Sequence, residues 1–198
     1  MHEKLFKIWE RNGIEPFWFQ TKEEAAAFLC QELVDRKITI SGCQTVNSMG
    51  LYDKLLARNS VFWHWKDDDY QAKRRAELDG DVYICSANGV AETGELVNID
   101  GSCNRLANSM YGQDLVIFII GEQKIEPTFE RALWRARNIA APLNARRQGK
   151  QTPCAFGEMK CHDCSAPERI CHAMAVIWQK PIPMDRMWVI VIGEKIGY

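Results

Sequence analysis

Short apolar runs alternate with helical patterns through the middle of the chain, and this alternation constrains the fold most strongly. Apolar segments lie at Lys37 to Ile40, Val82 to Cys85 and Asp114 to Gly121, which is typical of strands buried on both faces of a parallel sheet. The helical segments between them suit right-handed crossovers. We therefore predict an α/β fold: a three-layer, mainly parallel sheet with helices on both faces.

Helices are also predicted from local signals. Charged and apolar residues at helical spacing predict a first helix that ends before Gly13, and the capping box at Thr21 opens a second. Later helices are predicted over Ser102 to Tyr111, and over Pro127 to Arg147 with an interruption at Pro142. Asp67 to Asp69 are interpreted as the acidic start of a further helix rather than as a metal site.

Other extended segments are less regular. The run Phe17 to Phe19 predicts an extended arm that packs on the body, and Val61 to Trp65 predicts a strand in which His64 is structural. Val176 to Trp178 and Trp188 to Ile192 predict two closing strands, arranged as a hairpin or an edge pair.

Composition narrows the classes of protein to consider. The chain has 198 residues, of which 46% are hydrophobic, so residues 1–198 are expected to form a single domain with a real core. A net charge of −1 gives no reason to expect a nucleic-acid partner. No apolar run is long enough to span a membrane, and the amphipathic start does not match a signal segment, so we expect a cytoplasmic protein.

Two polar loops follow predicted strands. The loop Ser41 to Thr45 lies between a strand and a helix, where backbone N–H groups bind anions and Gly42 permits close approach; an ordinary turn is the alternative. The stretch Gly80 to Arg105 runs from an apolar strand into turns and a polar corner, with a satisfied hairpin as the alternative. Both loops lie beyond strand carboxyl ends, which predicts one shared cleft.

Four cysteines near the C-terminal end are clustered as C-x6-C-x2-C-x6-C. In a reducing compartment such thiols indicate a metal centre, and thiolates suit zinc and iron–sulfur clusters alike. Two disulfides and buried free thiols are the alternatives. The segment 152–172 has little periodic apolar pattern, so a metal would help to fold it. The predicted metal ligands are Cys154, Cys161, Cys164 and Cys171.

The polar corner carries a family resemblance. The segment from Asn88 to Arg105 resembles the LUD-domain family, the lactate-utilization proteins, whose members carry a stretch close to N-A-I-S-x-D-G-T-L-V-N-I-D-G-x-G-N-R. The matching residues are Asn88, Gly94, Leu96 to Gly101, Asn104 and Arg105, while Gly89, Thr93 and Cys103 depart from the pattern. The fold of this family resembles that of sugar-phosphate isomerases and CoA transferases.

The resemblance implies a lactate-utilization component that binds a small anion in the cleft and acts in the redox conversion of lactate to pyruvate, with redox protein subunits as partners. It also favours a four-iron cluster over zinc on the cysteines. Arg105 is expected to pair with the anion. The full set of predicted ligand-binding residues is Gly42, Thr45, Asn88, Gly94, Asn98, Asp100, Gly101, Asn104 and Arg105.

Two other functions are compatible with the sequence. One is an independent isomerase or transferase of the sugar-phosphate or CoA type, with Glu92 or Asp100 as general base. The other is a non-catalytic iron–sulfur electron carrier. Neither Glu92 nor Asp100 has a neighbouring histidine, lysine or nucleophile in sequence that would identify it as catalytic.

Overall fold

Parallel strands build the main sheet in the computed structural model, which describes residues 2–63, 65–66 and 78–198. The interpretations of His64 and of Asp67 to Asp69 therefore lie outside the described residues. Six strands are paired in the order β1-β10-β7-β4-β2-β3, and every pair is parallel. Their bounds are β1 Glu15–Phe19, β2 Lys37–Ile40, β3 Ser60–Trp63, β4 Val82–Cys85, β7 Leu115–Gly121 and β10 Arg186–Ile192.

Alternate residues of the central strands enter two different cores. In β7, Ile117 and Ile119 contact one core and Val116, Phe118 and Ile120 contact the other, so both faces of the strand are buried. The first core is covered by α2 (Lys22–Glu32), α3 (Gln44–Ser48) and α4 (Leu51–Leu56). The predicted α/β class, with a mainly parallel sheet flanked by helices, is confirmed.

The second face is covered by α1 (Glu3–Arg11) and by a small second sheet. This sheet has the order β8-β5-β6-β9, with bounds β5 Gly89–Ala91, β6 Leu96–Asp100, β8 Ile125–Glu126 and β9 Ala173–Ile177. Val90, Leu96 and Ile177 pack from it onto the main sheet. Helix α5 (Asn104–Met110) follows β6 directly and buries Leu106.

A long helical segment packs on the outer side of the small sheet. It consists of α6 (Phe129–Arg135), a π-helical turn (Ala136–Ala140) and α7 (Ala141–Arg147). The predicted helix is interrupted where Pro142 removes a backbone donor, and the π turn lies immediately before this proline. The predicted start at Pro127 is wrong by two residues, because Thr128 is the N-cap and its side chain accepts a hydrogen bond from Arg131 N at 3.3 Å.

One prediction about extended segments is confirmed and one needs correction. Phe17 to Phe19 are extended and pack on the body: they belong to β1, an edge strand paired with β10, and Phe28 and Trp188 pack against Phe17. The two C-terminal strands form neither a hairpin nor an edge pair: β9 lies in the small sheet, whereas β10 lies between β1 and β7 in the main sheet.

Within the described residues, no helix is long and apolar enough to cross a membrane.

Candidate functional site

A cavity of about 460 Å³ lies where β2, β4 and β7 end at their carboxyl termini. Parallel strands bind ligands at this edge because the loops that follow them converge there. The loop after β2 and the corner after β6 contribute to the same cavity. Its lining includes Gly42, Cys43, Thr45, Ser86, Ala87, Asn88, Asp100, Gly101, Arg105, Lys124, Arg147, Lys150, Glu168, Arg169, Cys171 and Tyr198.

Lys124 lies at the centre of the converging loops. It follows β7 in a short 3-10 turn (Glu122–Lys124), and only 3% of its surface is exposed. Its Nζ lies 2.9 Å from Ser86 Oγ, 3.1 Å from Thr45 Oγ1 and 3.3 Å from the carbonyl oxygen of Ala87. Thr45 follows β2, Ser86 and Ala87 follow β4, and Lys124 follows β7. The fold of the sheet therefore brings these groups together.

Burial, aided by the positive charges of Arg135 and Arg105, lowers the pKa of Lys124 from 10.5 to about 8. Nearby Cys43 and Cys85 act in the opposite direction. Lys124 therefore has a much larger neutral fraction near neutral pH than a lysine at the surface.

Arg105, at the start of α5, is among the residues that line the cavity. One terminal nitrogen, Nη2, donates to the carbonyl oxygen of Ile99 at 2.7 Å and to Asn88 Oδ1 at 3.3 Å. Its Nε is buried and has no hydrogen-bond partner within the described residues. A buried donor without a partner is costly, so this guanidinium retains capacity to bind an acceptor in the cavity.

Asp100 and Gly101 have identifiable structural roles at the same edge. Asp100 accepts backbone hydrogen bonds from Gly101 at 2.8 Å and from Arg105 at 3.1 Å, and so holds the start of α5. A Cβ on Gly101 would stand 3.0 Å from the carbonyl oxygen of Ile170. The missing side chain of Gly101 thus makes room for the backbone of the cysteine-containing segment.

Not all of the predicted site residues meet in this cavity. Gly42, Thr45, Asn88, Asp100, Gly101 and Arg105 line it. Asn98 is buried in the small sheet, where its Oδ1 accepts from Asn88 N at 3.1 Å. Gly94 has φ +109, and its carbonyl oxygen accepts a hydrogen bond from the Trp9 indole. Asn104 lines a smaller adjoining pocket. Glu92 is exposed on the turn after β5.

The side chains that line the cavity carry an excess of positive charge. The cations are Arg105, Lys124, Arg147, Lys150 and Arg169, whereas the carboxylates are Asp100 and Glu168. The whole chain has a net charge of −1, so this excess is local. A concave surface with converging cations attracts small anions.

The cysteine-containing segment forms one wall of the cavity. His172 N donates to the carbonyl oxygen of Asp100 at 3.0 Å, and Cys161 N donates to Asn138 Oδ1 at 3.0 Å. Arg169 donates to the carbonyl oxygens of Cys164 and Cys171 at 2.7 and 2.8 Å. The segment contains α8 (Pro153–Phe156) and is otherwise irregular up to β9.

The segment carries four cysteine thiols, the donor type that binds zinc and iron–sulfur clusters. Cys154, Cys161, Cys164 and Cys171 are all free thiols, which excludes disulfides among the described cysteines. Burial raises the pKa of Cys171, Arg169 opposes that shift, and the other three thiols are near enough to add to it. No group of three or more potential ligands in the described residues is arranged to hold a metal ion.

Sequence reasoning missed Lys124, Ser86, Arg147 and Arg169, which line the cavity. One signal could have found the first two: Ser86 directly follows β4, and Lys124 follows the end of β7 by three residues. Polar residues immediately after neighbouring parallel strands meet at the same edge of the sheet.

The family model described as LUD domain matches residues 2–192. The chain belongs to the LUD domain family. Membership supports a general association of this LUD domain with lactate utilization.

The fold of this LUD domain is similar to a solved structure of a DUF162 family protein from Deinococcus radiodurans. The TM-score is 0.55 and the sequence identity is 13%, with 98% of this chain and 99% of that chain covered. At this identity the likeness concerns the fold. No curated protein matches the sequence.

Proposed function

We propose that this LUD domain binds a small carboxylate-bearing anion in the cavity and acts in the redox conversion of lactate to pyruvate. The observation that carries the proposal is the cationic lining at the carboxyl edge of the sheet, which includes Arg105, whose buried Nε has no hydrogen-bond partner within the described residues. A guanidinium and a carboxylate form charge-assisted hydrogen bonds, which are stronger than neutral ones. Redox protein subunits would act as electron partners.

Replacing Arg105 by alanine is expected to weaken binding of lactate or pyruvate by about 2 kcal/mol, roughly thirtyfold in Kd, because a hydrogen-bonded charge is lost. Isothermal titration calorimetry at fixed ionic strength measures the change. Arg11→Ala is the matched control, since Arg11 is exposed at the end of α1 and remote in sequence from the cavity loops.

Arg105 also ties β6 to α5 through the carbonyl of Ile99, so thermal melts of each variant must accompany the titrations. Arg105→Lys retains the charge and separates loss of charge from loss of the bidentate geometry. Unchanged affinity in a folded Arg105→Ala protein would exclude the guanidinium from ligand binding.

For the cysteine segment, we propose one metal centre on Cys154, Cys161, Cys164 and Cys171, with a four-iron cluster favoured over zinc. Free thiols in a single segment and the arginines beside them support this proposal: Arg137 Nη2 lies 3.4 Å from Cys161 Sγ, and Arg169 is near Cys171. Positive side chains complement the negative charge of a metal–thiolate centre. An iron–sulfur cluster would supply one-electron transfer, whereas zinc would be structural.

Cys161→Ser is expected to abolish stoichiometric metal binding and to make the segment 152–172 more sensitive to proteases, because metal binding stabilises the folded segment. Metal analysis and a visible spectrum of anaerobically purified protein measure the first effect, and limited proteolysis measures the second. Cys30→Ser, in α2, is the matched control. Wild-type protein without metal but with a protected segment would contradict the proposal.

A further inference from the structure

Lys124 is an unusual buried lysine. Lysines are rarely buried without an acidic partner, because removing an ammonium from water is expensive. Within the described residues, Lys124 forms no ion pair with a carboxylate: its nitrogen contacts two hydroxyls and one carbonyl. A lysine with a merely structural role would be stabilised better by an acid, so this arrangement calls for a different explanation.

The contacts of Lys124 can satisfy the neutral amine as well as the ammonium. The carbonyl oxygen of Ala87 only accepts, whereas Ser86 and Thr45 carry hydroxyls that can either accept from Nζ or donate to it. A neutral amine can therefore donate two hydrogen bonds and receive one. Because the hydroxyl groups of Ser86 and Thr45 lie 3.4 Å apart, they also provide a short path for a proton.

The surroundings of Lys124 match one kind of anion in particular. Arg105 lines the same cavity and is near enough for its charge to affect Lys124. A guanidinium suits a carboxylate, and an amine suits a carbonyl carbon. A 2-oxo acid carries these two groups on adjacent carbons.

We propose that Lys124 forms a Schiff base with a 2-oxo acid bound in the cavity, an inference that rests on the anion-binding function proposed above. The lone pair of neutral Nζ attacks the 2-carbonyl carbon and forms a carbinolamine. A proton passes from nitrogen to oxygen through the Ser86 or Thr45 hydroxyl, water leaves, and the carbon–nitrogen double bond forms. One amine and one carbonyl thus give one imine and one water, with no change of oxidation state.

Burial favours the attacking, neutral form of Lys124. The groups that affect Lys124 are Arg105, Arg135, Cys43 and Cys85, and burial is the largest influence on its pKa. With a pKa of about 8 against the usual 10.5, about a tenth of this amine is neutral at pH 7, compared with about one in three thousand for an ordinary lysine. Adduct formation should therefore increase as pH rises toward and through about 8.

The test is borohydride trapping with pyruvate as the probe. Wild-type protein is incubated with pyruvate and sodium borohydride at several pH values, and peptide mass spectrometry locates the reduced adduct. We expect modification of Lys124 to exceed that of any surface lysine by roughly three hundredfold at neutral pH, in line with the neutral fractions. Lactate has the same charge but a hydroxyl in place of the 2-oxo group, so it should give no adduct.

Two variants complete the design. Lys124→Arg keeps a cation but cannot form the imine, and should lose the specific adduct. Lys7→Arg changes an exposed lysine on α1, away from the residues that line the cavity, and should leave modification of Lys124 intact.

Calorimetry with pyruvate separates the outcomes. Binding without modification of Lys124 would overturn the Schiff base and leave the anion-binding proposal standing. The absence of both binding and adduct would overturn both. An adduct spread evenly over surface lysines would also overturn the special role of Lys124.

Discussion

Gly89→Ala is expected to destabilise the protein by about 3 kcal/mol or more, because the new methyl group has no space. A Cβ on Gly89 would stand 2.3 Å from the carbonyl oxygen of Ala132 and 3.0 Å from its carbonyl carbon. These are backbone atoms of α6, so relief requires β5 and α6 to separate. Denaturant unfolding followed by circular dichroism measures the loss.

The same substitution should disturb the cavity. Arg135, on α6, donates to the carbonyl oxygen of Asn88 at 2.6 Å, next to Gly89 in sequence. Gly50→Ala is the matched control: Gly50 has φ +58 but nothing within 4 Å of a new Cβ, so only the left-handed conformation costs energy, about 1 kcal/mol. Equal losses in the two variants would mean that α6 does not pack this closely on β5.

Stability should also rise in alkaline solution because of Lys124. The pKa of Lys124 is lowered from 10.5 to about 8 in the folded protein. Below pH 8 the lysine is protonated in both the folded and the unfolded state. The buried charge then lowers the free energy of unfolding. Between these values the unfolded chain binds more protons, and the free energy of unfolding increases with pH. The full gain is about 3 kcal/mol.

Lys124→Met removes this contribution and leaves every other titratable residue in the chain. The difference in unfolding free energy, wild type minus variant, should increase from about pH 8 to pH 10.5 and be level below that range. Urea titrations at intervals of pH measure it. Parallel curves for the two proteins would show that Lys124 is not buried as a charge.

The main sheet was predictable where both faces of a strand are buried. The bounds of β2 and β4 coincide with the apolar runs Lys37 to Ile40 and Val82 to Cys85. The small sheet was not predictable in the same way, because β5 and β8 have only three and two residues, too few to show periodicity. The position of β10 depends on pairing with strands far away in sequence, which no local pattern contains.

The candidate site was partly predictable for similar reasons. Strand ends indicated a shared cleft after β2 and near the corner after β6, and the cavity is there. A family motif does not separate ligand contacts from structural ones, however: Gly94 binds the Trp9 indole and Asn98 ties the small sheet together. Lys124 belongs to no motif, and its hydroxyl partners are brought to it only by the tertiary fold.

The position of β10 has a consequence for how the chain folds during synthesis. Glu15 pairs with Trp188, and Leu115 with Arg186, so β1 has no partner in the main sheet, and β7 has one open edge, until β10 has left the ribosome. Contacts between such distant segments carry a large loop-closure cost and form slowly. Until then the apolar edge of β7 is available to other chains, which is a risk of aggregation. Because β7 leads into Lys124, the central amine of the cavity depends on a strand whose pairing is completed late.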